Sequence, residues 1–234
     1  MSPDIRFLKF GTTTVAIAPI EAAAGETRRQ AERRTALMLM RKLTRLSRAY
    51  IAHYRWGEPC IAQKPLLPWG KVRFRKDIGV SVSHSRRLAA VAIDYTRPIG
   101  IDIEEPRAQL FNVASRFLSA DERSLLGFQS VECDTRPGSF TIFYDPDAHS
   151  RTDLLYQLTR AWTIKEAMVK LCGGHEVDLR ADLRAFPSPT LRGLQCTLIA
   201  DLTLLGHHLA LLTTESHPEE KDHGQSNRQP DQQE

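Results

Sequence analysis

Pro98-Ile99-Gly100-Ile101-Asp102-Ile103-Glu104 is the stretch on which the reading of the chain turns. Apolar and polar residues alternate along it. Ile99, Ile101 and Ile103 therefore fall on one face of a strand, and Gly100, Asp102 and Glu104 on the other. Three β-branched residues favour the strand. The second face carries two carboxylates, two residues apart, beside a glycine that leaves room. Side by side they repel unless a cation stands between them. Asp and Glu oxygens around a hard divalent ion, completed by water and phosphate, are the usual Mg2+ arrangement. The same residues also read as an edge strand with a solvated acidic face.

The chain has 234 residues, 41% hydrophobic and 26% charged, room for one large domain or two small ones. No apolar run approaches the roughly 18 residues of a membrane span. Val15-Ala16-Ile17-Ala18 and Ala22-Ala23-Ala24 do not make a signal peptide, because Asp4, Thr12, Thr13 and Thr14 break its apolar core; a first strand is expected instead. Cys60, Cys133, Cys172 and Cys196 have neither metal nor disulfide spacing, which suits reduced thiols in a cytoplasm. The net charge of +4 is uneven: residues 1–76 hold 16 Lys and Arg against 5 Asp and Glu, and the remainder 16 against 23. A basic first part and a carboxylate-bearing second part suit an anionic ligand plus a metal. A nucleic-acid binder would show the same basic part, so charge alone does not choose.

Outward from the central strand, Gly79 to Ser83 and Leu88 to Tyr95 read as strands, the second nearly continuous in apolar residues as a buried strand would be. Ser83-His84-Ser85 lies in the polar turn between them, where hydroxyl, imidazole and backbone N–H groups could hold phosphate oxygens. Val72 to Phe74 is a further short strand, and residues 5–20 one or two more. Thr27 to about His53 is expected as a long helix, apolar at Ala31, Leu37, Leu39, Met40, Leu43, Leu46 and Ile51. Its other face is arginine-rich, which ordinarily means a solvated face.

Beyond Pro106, Leu110 to Phe117 reads as a helix, and Ser119 with Glu122 as a capping box opening another. Residues 129–153 are expected as a long loop. From Leu158 to Gly174 a helix places Ala161, Ile164, Met168 and Leu171 on one face. Trp162, Glu166 and Lys170 line another face at four-residue spacing, which a plain Glu-to-Lys surface pair would also produce. Leu183 to Phe186, Leu194 to Ala200 and His208 to Thr213 are short strands. His207-His208 invites a metal reading, but neighbours on a strand point opposite ways. Residues 216–234 are charged, Gln-rich and apolar-poor, a disordered tail.

Val82-Ser83-His84-Ser85, the Gly-Ile-Asp-Ile-Glu strand, Arg116-Phe117-Leu118-Ser119 with Glu122, and Trp162-Thr163-Ile164-Lys165-Glu166-Ala167 with Lys170 together resemble the Sfp-type 4′-phosphopantetheinyl transferases, over roughly residues 25–190. The resemblance implies an α/β fold of the α+β type: a pseudo-dimer of two similar halves, each a long helix on a small antiparallel sheet. The halves would be residues 1–105, on the coenzyme A side, and 106–215, on the carrier-protein side, with a monomer sufficient. It implies transfer of the phosphopantetheine arm of coenzyme A to a serine of an apo acyl or peptidyl carrier protein, releasing adenosine 3′,5′-bisphosphate. Asp102, Glu104 and Glu166 would hold Mg2+, or Mn2+. Lys170 would reach a phosphate, and Ser83 and His84 the nucleotide part. Glu166 would take the serine proton, with Lys165 nearby, and Glu122 matches a recurrent acid of the family. Arg34 would meet the 3′-phosphate, with Arg28 and Arg29 as lesser candidates.

One residue departs from the pattern. Glu58 stands where the family usually has a lysine, and Lys64, Lys71 or Arg73 would have to substitute. Carrier docking is expected on Leu110 to Leu126 and the loop after it. Two other classes compete. A basic nucleic-acid-binding module leaves the three carboxylates unexplained and has few stacking aromatics. A metal-dependent phosphohydrolase would use the same carboxylates and release inorganic phosphate.

Overall fold

A long helix lying on an antiparallel sheet occurs twice along the chain. The computed structural model describes residues 4–54, 57–67, 69–132, 140–147, 150–173 and 176–214. In order the elements are β1 (Arg6–Phe10), β2 (Thr13–Pro19), α1 (Arg28–Thr44), β3 (Ala49–His53), β4 (Pro59–Gln63), β5 (Arg73–Phe74), β6 (Gly79–His84), β7 (Leu88–Asp94) and β8 (Ile99–Glu104). There follow α2 (Gln109–Phe117), α3 (Ala120–Leu125), β9 (Phe128–Glu132), β10 (Phe140–Tyr144), α4 (Arg151–Leu171), β11 (Leu183–Arg184), β12 (Thr190–Leu191), β13 (Leu194–Gln195), β14 (Thr197–Leu204) and β15 (His207–Thr213).

The first large sheet has the order β1-β2-β7-β6 and lies under α1; the second has the order β14-β15-β8 and lies under α4. Neighbouring strands in both are antiparallel. Beneath α1, Leu39 and Met40 close over Ala16, Ala89, Val91 and Ile93. Around α4, Leu158, Ile164 and Met168 close over Phe117, Leu183, Ala210 and Leu212. A third cluster takes the opposite faces of both sheets: Val15, Ile17, Ala90 and Ala92 meet Ile99, Ile101, Ile103, Leu209 and Leu211. Full burial of Ile101 and Ile103 contributes about 2–3 kcal/mol each.

The two sheets meet at β6 and β8. Ile101 N–H donates to the Ser81 hydroxyl at 3.0 Å and Ile103 N–H to the Ser83 hydroxyl at 3.3 Å. The pairing advances in the same direction on both strands, so they run parallel, with serine hydroxyls standing in for main-chain carbonyls.

Four expectations change. β8 is the end strand of its sheet but has no wet face: it is buried on both sides, because α4 covers the Gly100, Asp102 and Glu104 face. By its hydrogen bonds β8 belongs to the second sheet, paired with β15, although it closes the first half of the chain in sequence. The first helix stops early, at Arg45, whose φ of 57° is left-handed; Ile51 lies on β3 instead, paired with Ile61 of β4. Tyr and Ile in this segment favour a strand once a partner strand is present. The loop expected at 129–153 contains the β9–β10 hairpin and the first turn of α4. The tail at 216–234 lies outside the described residues, as does Gly174.

Candidate active site

Gly100 brings β8 and α4 together. A Cβ there would collide with the main-chain carbonyl of Ala167, so the helix lies directly on the strand and sets Glu166 and Lys170 beside Asp102. The Lys170 ammonium donates to Asp102 Oδ1 at 2.7 Å and to the Ile101 carbonyl at 2.9 Å. Ser83 donates to the same Oδ1 at 2.6 Å. Asp102 Oδ2 is buried and has no hydrogen-bond partner. Glu104 pairs with Arg107 at 3.0 Å. Burial, and next the charge of Asp102, push Glu104 up to about 7. The same two causes, in the same order, push Glu166 up. Three acids share one seam with one ammonium between them, and like charges at close quarters raise one another.

Among the described residues, no three His, Cys, Asp or Glu side chains converge into a closed ligand set. The donors nevertheless suit a hard divalent cation: all are carboxylates, and Asp102 Oδ2 is a buried oxygen left without a partner. Asp102, Glu104 and Glu166 are the residues that could hold such an ion.

Lys165 and Glu122 are brought together, but away from solvent. Both side chains are 0% exposed, with Nζ 2.7 Å from Glu122 Oε2. Lys165 also donates to the carbonyls of Phe117, Leu179 and Leu183. Glu122 completes its capping box with Ser119 and accepts from Ala185 N–H. The two chains therefore tie α4 to α3 and β11 and touch no open surface. The structure thus places Lys165 and Glu122, both expected in the chemistry, against each other, the lysine on four acceptors, away from the seam at Asp102.

Ser83 differs in a similar way. It is 4% exposed, and its hydroxyl is spent on Asp102 and Ile103 N–H. His84, next in β6, is half exposed and faces Glu32 of α1 at 3.7 Å. Arg28 joins this corner, pairing with Glu32 at 2.7 Å and donating to the Ser85 carbonyl at 2.9 Å. Arg34 does not join it: Glu26 grips its guanidinium through two bonds of 2.9 Å. Helix geometry explains the difference, since Arg28 and Glu32 share a face one turn apart and Arg34 points elsewhere. Lys64 lies over the Tyr50 ring at 5.9 Å, and Lys71 is exposed on the loop between β4 and β5. Glu58 packs on Gly173, past the end of α4.

Sequence reasoning passed over Glu32 and Arg107. The first stands four residues after Arg28, a spacing that ordinarily pairs on a helix; the second stands three residues after Glu104 on a turn, where no periodicity marks it. His207 and His208 point opposite ways, as expected for strand neighbours, to Glu105 at 3.0 Å and Asp201 at 2.7 Å.

The chain belongs to the 4′-phosphopantetheinyl transferase superfamily, whose profile matches residues 98–223, more than half of its length. It is 32% identical over 118 residues to a 4′-phosphopantetheinyl transferase of Bacillus subtilis, covering 50% of this chain and 38% of that protein. To the 4′-phosphopantetheinyl transferase Sfp of Bacillus subtilis strain 168 it is 32% identical over 115 residues, 49% and 37% of the two chains. To the 4′-phosphopantetheinyl transferase HetI of a Nostoc species it is 35% identical over 95 residues, 40% and 32%. The matched stretch thus spans less than two fifths of each relative. No helix among the described residues is long and apolar enough to cross a membrane.

Proposed function

We propose that this protein transfers the phosphopantetheine arm of coenzyme A to a serine of an apo acyl or peptidyl carrier protein. The serine oxygen forms a bond to the β-phosphorus of the coenzyme A pyrophosphate. The phosphoanhydride bond breaks, adenosine 3′,5′-bisphosphate leaves, and the serine proton passes to a base. The observation that carries this reading is the seam where Asp102, Glu104 and Glu166 share one ammonium, Lys170, in a chain of this family.

Glu166 is the group best suited to take the serine proton. Burial and the Asp102 charge raise its pKa, which strengthens a carboxylate as a base. Lys170 is one quarter exposed, so its ammonium can move from Asp102 to a phosphate oxygen. His84 and Arg28 lie on the other side of β6 and suit the nucleotide phosphates, with Arg34 further along α1. Lys165 and Glu122 hold α4 in place. Asp102, Glu104 and Glu166 would hold Mg2+ or Mn2+, which when bound neutralises charge developing on the leaving group.

Incubation with coenzyme A, Mg2+ and a panel of apo carrier proteins, followed by intact mass measurement, tests the reading. A gain of one phosphopantetheine group, lost with chelator and in Asp102→Ala, is the expected result. Release of inorganic phosphate without carrier modification would replace it with a phosphohydrolase.

A further inference from the structure

Two serines of β6 bridge to β8 in the same way, and one of them also touches the seam of acids. Ser81 and Ser83 stand two residues apart and share a face of the strand. The Ser81 hydroxyl accepts from Ile101 N–H at 3.0 Å and meets no carboxylate among the described residues. The Ser83 hydroxyl accepts from Ile103 N–H at 3.3 Å and donates to Asp102 Oδ1 at 2.6 Å. Both serines are buried, 2% and 4% exposed.

Hydrogen-bond roles leave the Ser83 hydroxyl one orientation. Its oxygen takes the Ile103 N–H, and a carboxylate only accepts, so its single hydrogen points at Asp102. The charged acceptor makes this the stronger of its two bonds. Lys170 donates to the same oxygen at 2.7 Å. Two donors thus converge on Oδ1, and Oδ2 is left buried with none.

The two donors differ in what they can do next. Lys170 is long and one quarter exposed, and in the proposed transfer its ammonium leaves Asp102 for a phosphate oxygen. Ser83 is short, buried and held by Ile103 N–H. Once Lys170 has moved, Ser83 is the one donor among the described residues that still holds Asp102.

We propose that Ser83 is a positioning residue: it fixes the Asp102 carboxylate through Oδ1 and so keeps Oδ2 free for a divalent cation. The inference rests on reading Asp102 as a metal ligand. Groups that orient a ligating carboxylate are worth roughly 10–100-fold in metal affinity.

The test is Mn2+ affinity by electron paramagnetic resonance, beside urea denaturation, in the wild-type protein, Ser83→Ala and Ser81→Ala. Each variant loses one bridge between β6 and β8, so both urea midpoints should fall. Mn2+ affinity should fall about tenfold or more in Ser83→Ala and stay within about twofold of wild type in Ser81→Ala. Ser83→Cys keeps the size of the side chain and offers only a weak donor. It should lose Mn2+ affinity severalfold or more, and it carries the test where Ser83→Ala does not fold. Wild-type affinity in a folded Ser83→Ala or Ser83→Cys protein would overturn the proposal alone. An equal loss in Ser81→Ala would also overturn it, since the strand bridge would then be the cause. A wild-type protein that binds no Mn2+ would overturn it together with the metal role of Asp102.

Discussion

A side chain at Gly100 would run into the main-chain carbonyl of Ala167. That contact decides how near α4 lies to β8, and so whether Glu166 and Lys170 reach Asp102. Backbone cannot yield as a flexible side chain can. Gly100→Ala should therefore push helix from strand, costing about 1–3 kcal/mol in a urea titration. Transfer to carrier protein should fall further than the folded fraction does. A folded Gly100→Ala protein with full activity would show that the distance between β8 and α4 is not what assembles the site.

Lys165 and Glu122 should matter for stability first. Removing one partner leaves the other charge buried, a loss of about 3–5 kcal/mol. Lys165→Met is the sharper variant, since Glu122 keeps its bonds from Ser119 and Ala185 N–H. Chemical denaturation should show the full loss. Activity per folded molecule at low temperature should stay within severalfold of wild type; a drop of several orders of magnitude with the fold intact would return Lys165 to the chemistry.

Arg28 and Arg34 are separated by their partners. Arg28 sits with His84 and Ser85, whereas Arg34 is held by Glu26. Arg28→Ala should weaken coenzyme A binding about tenfold, and Arg34→Ala by less, as measured by calorimetry; each tenfold step is 1.4 kcal/mol. The reverse order would mean that Glu26 releases Arg34 to the ligand.

The raised carboxylates make metal-free stability fall with pH. Glu104 holds its proton up to about 7 in the folded protein, against 4.5 as its ordinary value. Between those values the native state binds more protons than the unfolded one, so stability declines as pH rises through this window. Below it the penalty is absent; above it the penalty is complete. In chelator at pH 8, Glu104→Gln should be more stable than wild type by on the order of 2 kcal/mol, with the gain gone at pH 4. Thermal melts at the two pH values check it, and an unchanged difference would place Glu104 in a wetter setting than its burial implies.

Local patterns in the chain determined several features by themselves. Alternation put Asp102 and Glu104 on one face of β8, because side chains of a strand alternate at period two whatever surrounds it. Four-residue spacing put Trp162, Glu166 and Lys170 on one face of α4, and Ser119 with Glu122 formed the capping box of α3 within a single turn. The order of those motifs also carried the family.

Tertiary structure decided the rest. It paired β8 with β15, about a hundred residues further on, and sealed Lys165 on Glu122 while leaving its neighbour Glu166 beside Asp102. It ended α1 at Arg45 by offering β4 as a partner to the segment after it. It turned the Ser83 hydroxyl inward to bridge two strands. None of these follows from spacing, because each depends on which distant surface removes a group from water. A lysine or serine reads the same in sequence whether its polar end meets solvent or a buried acceptor.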